Sequence, residues 1–162
     1  MFKFYDIDIN YVKYLQTIDS QVPNIHYNTN NKFVCGVVLD INGTQFYAPI
    51  SHTTKKFQTS MLIYDNGKAI SSIRFSFMVP AESKYLTVKD FKTIAKTNQN
   101  YANILAAEYA YCKNNIKQIQ NKAYSVYKIG CNKKHKLNYT CCDFQKLEQN
   151  YKNYKVVQQP LI

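Results

Sequence analysis

Short strand-like runs of apolar residues, several of them alternating with polar ones, fill the first half of the chain. The runs are residues 2–9, 33–41, 44–49, 61–64, 69–72 and 73–79. Asn42-Gly43 separates the second run from the third, and Asn66-Gly67 separates the fourth from the fifth. Asn-Gly between two such runs is typical of a tight hairpin. The pattern therefore predicts five or six antiparallel strands, with Pro80 ending the last one.

In the second half, apolar residues recur at the three- and four-residue spacing of a helix. Residues 101–128 contain neither Gly nor Pro, so we expect a long helix that bends or breaks at Asn114-Asn115 and stops at Gly130. Three shorter helices are predicted, one over residues 11–18 capped by Asn10, one opened by Thr87, and one begun by Thr140 and Asp143.

Strands followed by helices predict an α+β fold in one domain over residues 1–162. We expect helices, mostly from the C-terminal half, to pack on a strongly twisted antiparallel sheet or a small open barrel.

The charge of the chain favours an anionic partner. Lys and Arg total 21 against 10 Asp and Glu, a formal net charge of +11. Such a surface attracts nucleic acid or anionic membranes. No apolar run is long enough to span a bilayer and no long basic amphipathic helix is predicted, so RNA or DNA is favoured over a membrane. A cytoplasmic protein is the default expectation.

Neither a metal nor a cofactor is predicted. The five cysteines are odd in number and form no C-x-x-C pair, which disfavours a disulfide framework and a zinc site. His135 lies near Cys131 and Cys141, but at a spacing that matches no common metal site. With four glycines and no G-x-x-x-x-G-K pattern, the chain has no phosphate loop of the NTPase type.

The densest group of chemical side chains follows the strand run that reaches Pro49. Ser51, His52, Thr53, Lys55 and Lys56 lie within six positions. A loop at a strand end can expose such groups while the strand holds them in place. An ordinary surface turn with solvated lysines is the alternative, and this segment taken alone does not decide between them.

Metal-free cleavage of RNA suits these residue types, because the 2′-hydroxyl of RNA is itself the nucleophile. The protein must align the backbone, stabilise charge on the phosphate oxygens and assist two proton transfers. The chain also has 15 tyrosines and no tryptophan, and tyrosine can stack on unpaired bases. Most tyrosines are expected in the core, but Tyr11 follows a strand end and Tyr27 lies in a polar loop, so these two are site candidates.

Four ordered segments resemble the ToxN/AbiQ endoribonuclease toxins of type III toxin–antitoxin systems. The segments are Lys3-Phe4-Tyr5 with Tyr11-Val12-Lys13-Tyr14-Leu15, then Val22-Pro23-Asn24 with Lys32 and Gly36-Val37-Val38-Leu39, then Tyr47-Ala48-Pro49-Ile50-Ser51, and last Phe77-Met78-Val79-Pro80. They are similar to the family's K-F-Y with Y-I-K-Y-L, V-P-N with a lysine and G-I-V-L, A-P-L-T-S, and F-M-I-P. Order and spacing hold over nearly the whole chain.

The resemblance implies a MazF-like fold and a metal-independent endoribonuclease. It implies cleavage of mRNA in A-rich contexts to leave a 2′,3′-cyclic phosphate. The implied partner is a small repeated RNA pseudoknot, which the toxin processes and which then holds it in a closed ring of alternating toxin and RNA, with no protein antitoxin.

By motif match, the resemblance assigns site roles to four residues: Tyr11, Tyr27, Lys32 and Ser51, the last in place of the motif threonine. We expect Ser51 and Lys32 to contact the scissile phosphate and the two tyrosines to position the strand. His52 departs from the family, which more often has serine there. His52 or Lys55 is the expected assistant for proton transfer or charge stabilisation.

Two alternatives remain open from the sequence. One is a non-catalytic basic RNA-binding module, and the other is a MazF-like nuclease with a protein antitoxin. A groove for the RNA antitoxin would use Thr53 together with basic side chains close to it and after residue 130. These are Lys55, Lys56, Lys133, Lys134 and Lys136. For the last three, a solvated loop is an equal expectation.

Overall fold

A computed structural model describes residues 2–24 and 32–156. Seven strands and five α-helices lie within these ranges. The strands are β1 (Phe4–Ile7), β2 (Val34–Ile41), β3 (Thr44–Ser51), β4 (Ser60–Asp65), β5 (Lys68–Arg74), β6 (Val79–Pro80) and β7 (Leu86–Val88). The helices are α1 (Ile9–Ile18), α2 (Phe91–Thr97), α3 (Gln99–Asn114), α4 (Ile116–Cys131) and α5 (Phe144–Asn150).

The strands form one antiparallel sheet in the order β4-β5-β3-β2-β1-β7, and β6 pairs separately with β3. The sheet does not close, so the open form is found and the predicted α+β class is confirmed. Four of the five helices come from the second half of the chain, as expected. No helix in the described ranges is long and apolar enough to cross a membrane.

Both Asn-Gly hairpins are confirmed. Asn42 and Gly43 have φ of 51° and 84°, and Asn66 and Gly67 have φ of 50° and 75°. Positive φ at both central residues is the backbone of a type I′ turn, which matches the twist of the flanking strands. Each turn fixes the register of its hairpin. In the first hairpin, Ile41 lies opposite Thr44.

The run over residues 73–79 is not one strand. Strand β5 ends at Arg74, a 3-10 turn covers Phe75–Phe77, and β6 begins at Val79. The turn places Phe75 in the core, fully buried, while the carbonyl of Ser76 accepts a hydrogen bond from the Cys142 amide at 2.9 Å. Tertiary packing thus overrides a strong local strand preference.

Helix caps differ from the predicted ones. Asp8 rather than Asn10 caps α1, accepting a hydrogen bond from the Tyr11 amide at 2.8 Å. Thr87 lies in β7, and Asp90 caps α2 by accepting from the amides of Lys92 and Thr93. In both helices, an aspartate rather than the predicted residue accepts a hydrogen bond from an amide of the first turn, which has no partner within the helix.

At the last helix, Thr140 belongs to a 3-10 turn and Asp143 alone caps α5.

The predicted break at Asn114-Asn115 is confirmed, with α3 ending at Asn114 and α4 beginning at Ile116. The side-chain amide of Asn115 donates to the Tyr111 carbonyl at 2.7 Å, which satisfies the end of α3. Gly130 does not stop α4, which runs on to Cys131. A side chain at 130 would collide with the Phe144 ring, so this glycine serves the packing of α5 on α4.

The core lies between the sheet and helices α3 and α4, which contact β4 and β2 respectively. Its fully buried aliphatic side chains include Ile63 and Ile73 from the sheet and Leu105, Ile119 and Val126 from the helices. Each such side chain stabilises the fold by about 1.5–3 kcal/mol relative to exposure. Strand β3 is followed by a loop over residues 52–59, which carries most of the predicted chemistry.

Candidate RNA-cleavage site

Strand β3 changes neighbours at the proline that precedes the polar segment. On one edge, Phe46 and Tyr47 pair with β6, whereas Ile50 and Ser51 pair with β5. Pro49 lies in the gap between these pairings, where its missing N–H removes no ladder hydrogen bond. The end of β3 is therefore held between β2 and β5, and Ser51 is its last residue.

Ser51 and Lys32 lie at the same end of the β2–β3 ladder. Val34 is paired with Pro49, and the Ile50 amide donates to the Phe33 carbonyl at 3.2 Å. Lys32 precedes Phe33 and Ser51 follows Ile50, so each is the next residue beyond this hydrogen bond. Both side chains are partly buried.

The hydroxyls of the segment shape the loop that follows. Ser51 Oγ accepts a hydrogen bond from the Thr53 amide, and Thr53 Oγ1 accepts one from the Lys55 amide, both at 3.3 Å. Such bonds over two residues form consecutive Ser/Thr turns. Both side chains act here as acceptors, so Ser51 and Thr53 keep their O–H groups available as donors.

The side chains of His52, Lys55 and Lys56 are exposed on this loop. Lys55 Nζ lies 5.3 Å from the centroid of the Phe57 ring, so one of the two lysines is directed onto an aromatic face. The loop thus presents an imidazole and two ammonium groups to solvent, next to Ser51. Such an arrangement can attract and hold a phosphodiester.

Sequence reasoning missed Arg74. Its guanidinium carbon lies 4.6 Å from the centroid of the same Phe57 ring and 5.2 Å from that of Phe77. Burial lowers the pKa of Arg74. The one available signal was that Arg74 is the only arginine of the chain, but nothing local links it to Phe57.

Tyr11 is not at the surface, and its expected contact with RNA is corrected here. The side chain is completely buried, and its hydroxyl donates to the Pro80 carbonyl at 2.6 Å. Its ring is stacked on Tyr85, with centroids 4.5 Å apart. Burial raises the pKa of the Tyr11 phenol far above its usual range, which removes it as an acid or base near neutral pH. Its role is to hold β6 and the core.

The lysines after residue 130 lie away from the Ser51 loop. Lys133 lines a cleft of about 300 Å³ with Asp19, Asp143 and Lys146, between the ends of α1, α4 and α5. Lys134 and Lys136 are exposed beside it. This cleft has mixed charge and shares no lining residue with the Ser51 loop. The structure therefore does not bring the lysines after residue 130 into one site with Lys55 and Lys56. Tyr27, the other candidate tyrosine, lies outside the described residues.

In the two described ranges, no group of three or more His, Cys, Asp and Glu side chains is placed to hold a metal ion. Cys131 is partly exposed, and the other four cysteines are buried and unbridged. The candidate site therefore consists of Lys32, Ser51 and the loop that carries His52 and Lys55. Arg74, at the end of β5, lies against Phe57 of this loop.

Comparison with known proteins places this arrangement in a described family. The family model "Toxin ToxN, type III toxin-antitoxin system" matches residues 3–152. An Endoribonuclease ToxN of Bacillus thuringiensis subsp. kurstaki is 31% identical over 163 residues, spanning 94% of this chain and 84% of that protein. An Endoribonuclease ToxN of Pectobacterium atrosepticum is 26% identical over 165 residues, spanning 94% and 93%.

A solved structure from a type III system, with selective toxin inhibition by a non-coding RNA pseudoknot, has the same fold. It superposes with a TM-score of 0.86 at 31% identity and covers 94% of this chain and 97% of that one.

Proposed function

Because the chain belongs to the ToxN family of type III toxin–antitoxin systems, as the sequence resemblance predicted, we propose that it is an endoribonuclease that cuts mRNA in A-rich contexts. The cut uses the 2′-hydroxyl of the RNA as nucleophile and leaves a 2′,3′-cyclic phosphate. The observation that carries the proposal is the Ile50–Phe33 hydrogen bond, which sets the next residues, Ser51 and Lys32, at the same end of the β2–β3 ladder, beside a basic loop, in a chain of this family.

Each of the proposed site residues has a separate role in the reaction. Ser51 donates its O–H to a non-bridging oxygen of the scissile phosphate, and the Lys32 ammonium offsets the negative charge that grows there. Tyr27 positions the strand. His52 transfers a proton, since imidazole is the commonest general acid and base in enzymes, and Lys55 adds positive charge. Since RNA supplies its own nucleophile, no metal-activated water is required.

The inhibitor we propose is a repeated RNA pseudoknot that the toxin cuts from its precursor and then binds in a closed toxin–RNA ring. The relative of known structure is inhibited by a non-coding RNA pseudoknot, which favours an RNA over a protein antitoxin. The net charge of +11 suits such a partner. Lys55 and Lys56 would contact it, with Lys133, Lys134 and Lys136 as a second contact. The site of action is the cytoplasm, where mRNA is found.

Induced expression of the wild type and of Ser51→Ala, followed by mapping of cellular RNA ends, tests the proposal. We expect growth arrest and new ends in A-rich contexts with the wild type, and neither with Ser51→Ala at equal protein level. Equal growth and intact messages with both proteins would contradict it. Retarded but uncut RNA in a gel assay would instead show a non-catalytic RNA-binding module.

A further inference from the structure

Arg74 is fixed at the end of β5 between two aromatic rings. It pairs with Ser60 of β4 in the sheet, and its guanidinium lies against Phe57 on the loop and Phe77 on the 3-10 turn. A guanidinium stacked on aromatic faces is held in one orientation, and Arg74 as a whole stays partly exposed. The packing thus orients this cation before any ligand arrives.

No acidic group neutralises this cation in the described part of the chain. The two ion pairs found there, Lys84 with Glu82 and Lys89 with Asp6, do not involve it. Arg74 Nε is buried without a hydrogen-bond partner, and so is the Oγ of Ser72 two residues earlier. Burying a charged donor without an acceptor is costly. The partly exposed guanidinium therefore keeps its positive charge available to an anionic ligand.

The sheet register puts Arg74 on the same face as Ser51. Ser51 is opposite Ser72 and Ile50 is opposite Ile73, so continuing the pairing sets Arg74 opposite Pro49. Side chains alternate along a strand, so those of Arg74, Ser72 and Ser51 project from one face. Arg74 lies two residues along β5 from the partner of Ser51, about 7 Å at the backbone.

We propose that Arg74 is a phosphate-binding residue that grips the RNA backbone next to the scissile phosphate, and this inference rests on the proposed function. The planar guanidinium matches the two non-bridging oxygens of a phosphodiester. With Ser51 and Lys32 on one phosphate and Arg74 on its neighbour, the strand is held at two points, which is what in-line attack requires.

Chemical modification of the wild-type protein tests this directly. Phenylglyoxal reacts with arginine, and because the chain has one arginine, the mass of the modified protein reports on Arg74 alone. The probe is a 2′-O-methyl oligoadenylate, which lacks the attacking hydroxyl and is not cut. Saturating oligonucleotide should slow modification at least about tenfold, as expected for a charge-assisted contact. Equal rates with and without it would overturn the inference.

Substitution gives a second measurement. Arg74→Gln should lower the cleavage rate about ten- to a hundredfold. In a Ser51→Ala background it should also reduce the salt slope of single-stranded RNA binding by about 0.7, the share of one phosphate contact. A purely structural role would not change that slope. The matched control, Lys68→Gln, removes a cation from the other end of β5 and should leave both quantities unchanged.

The outcomes distinguish a failure of the proposed nuclease function from a failure of the proposed role of Arg74. A wild type that does not cut RNA refutes the proposed function, and this inference with it. An active wild type whose Arg74→Gln variant, shown to be folded by its melting curve, keeps the full salt slope refutes the role of Arg74 alone. Should that variant not fold, the modification experiment on the wild type decides.

Discussion

Replacing Tyr11 by phenylalanine removes one hydroxyl from the core and leaves the ring in place. The lost bond is the 2.6 Å hydrogen bond to the Pro80 carbonyl, while the stacking on Tyr85 is kept. A buried carbonyl that loses its donor costs about 1–3 kcal/mol. For a chain of this length, that lowers Tm by about 2–10 °C. Because the hydroxyl does not reach the surface, cleavage by the folded protein should not change.

Thermal unfolding and RNA cleavage below the transition measure the two effects separately. Tyr14→Phe is the matched control, since the Tyr14 hydroxyl donates to the Asn150 carbonyl at the same 2.6 Å but in a half-buried position. Water can replace that bond, so a smaller loss of Tm is expected. An unchanged Tm with at least tenfold slower cleavage in Tyr11→Phe would show that the hydroxyl contacts RNA, and the burial argument would be wrong.

Three further predictions concern stability and the proton carrier. Burial raises the pKa of Glu108 from 4.5 to about 7, so the folded state binds the extra proton and stability should fall by about 3 kcal/mol as the pH rises through this interval. Melting curves of Glu108→Gln should lack that slope, and parallel wild-type and variant profiles would contradict it. His52→Ala should slow cleavage by the folded protein about hundredfold, whereas an unchanged rate would leave His52 a turn residue. Gly130→Ala should lower Tm despite better helix propensity, because overpacking against Phe144 costs about 1–3 kcal/mol against a gain of about 1 kcal/mol, and a higher Tm would refute the packing argument.

Features set by local backbone chemistry could be predicted from the sequence. Asn-Gly pairs adopt positive φ more readily than other residues, so both hairpins were predicted correctly. The run after Ile73 was wrong because the burial of Phe75 decides its path, and burial depends on helices that follow much later in the chain. The predicted helix caps were wrong because several polar residues near each helix start can act as the cap, and local sequence alone does not select one of them.

The candidate site also combines residues that local motifs indicate with residues whose position depends on the fold. Motif order singles out the segment at Ser51 together with Lys32, and the structure adds that their neighbours Ile50 and Phe33 are hydrogen-bonded across the β2–β3 ladder. Arg74 could not be found, because its position depends on Phe57 and Phe77, which no local pattern connects. Tyr11 was misassigned although it lies on the apolar stripe of α1, which was the signal for its burial.

The central claim, that the chain cuts RNA through the RNA's own 2′-hydroxyl, is tested by one substrate change. Purified protein in EDTA is given an A-rich RNA whose cut site is known, and the same RNA with a single 2′-deoxynucleotide on the 5′ side of the scissile bond. We predict cleavage of the first to a 2′,3′-cyclic phosphate and an intact second. Equal cleavage of both would contradict the account.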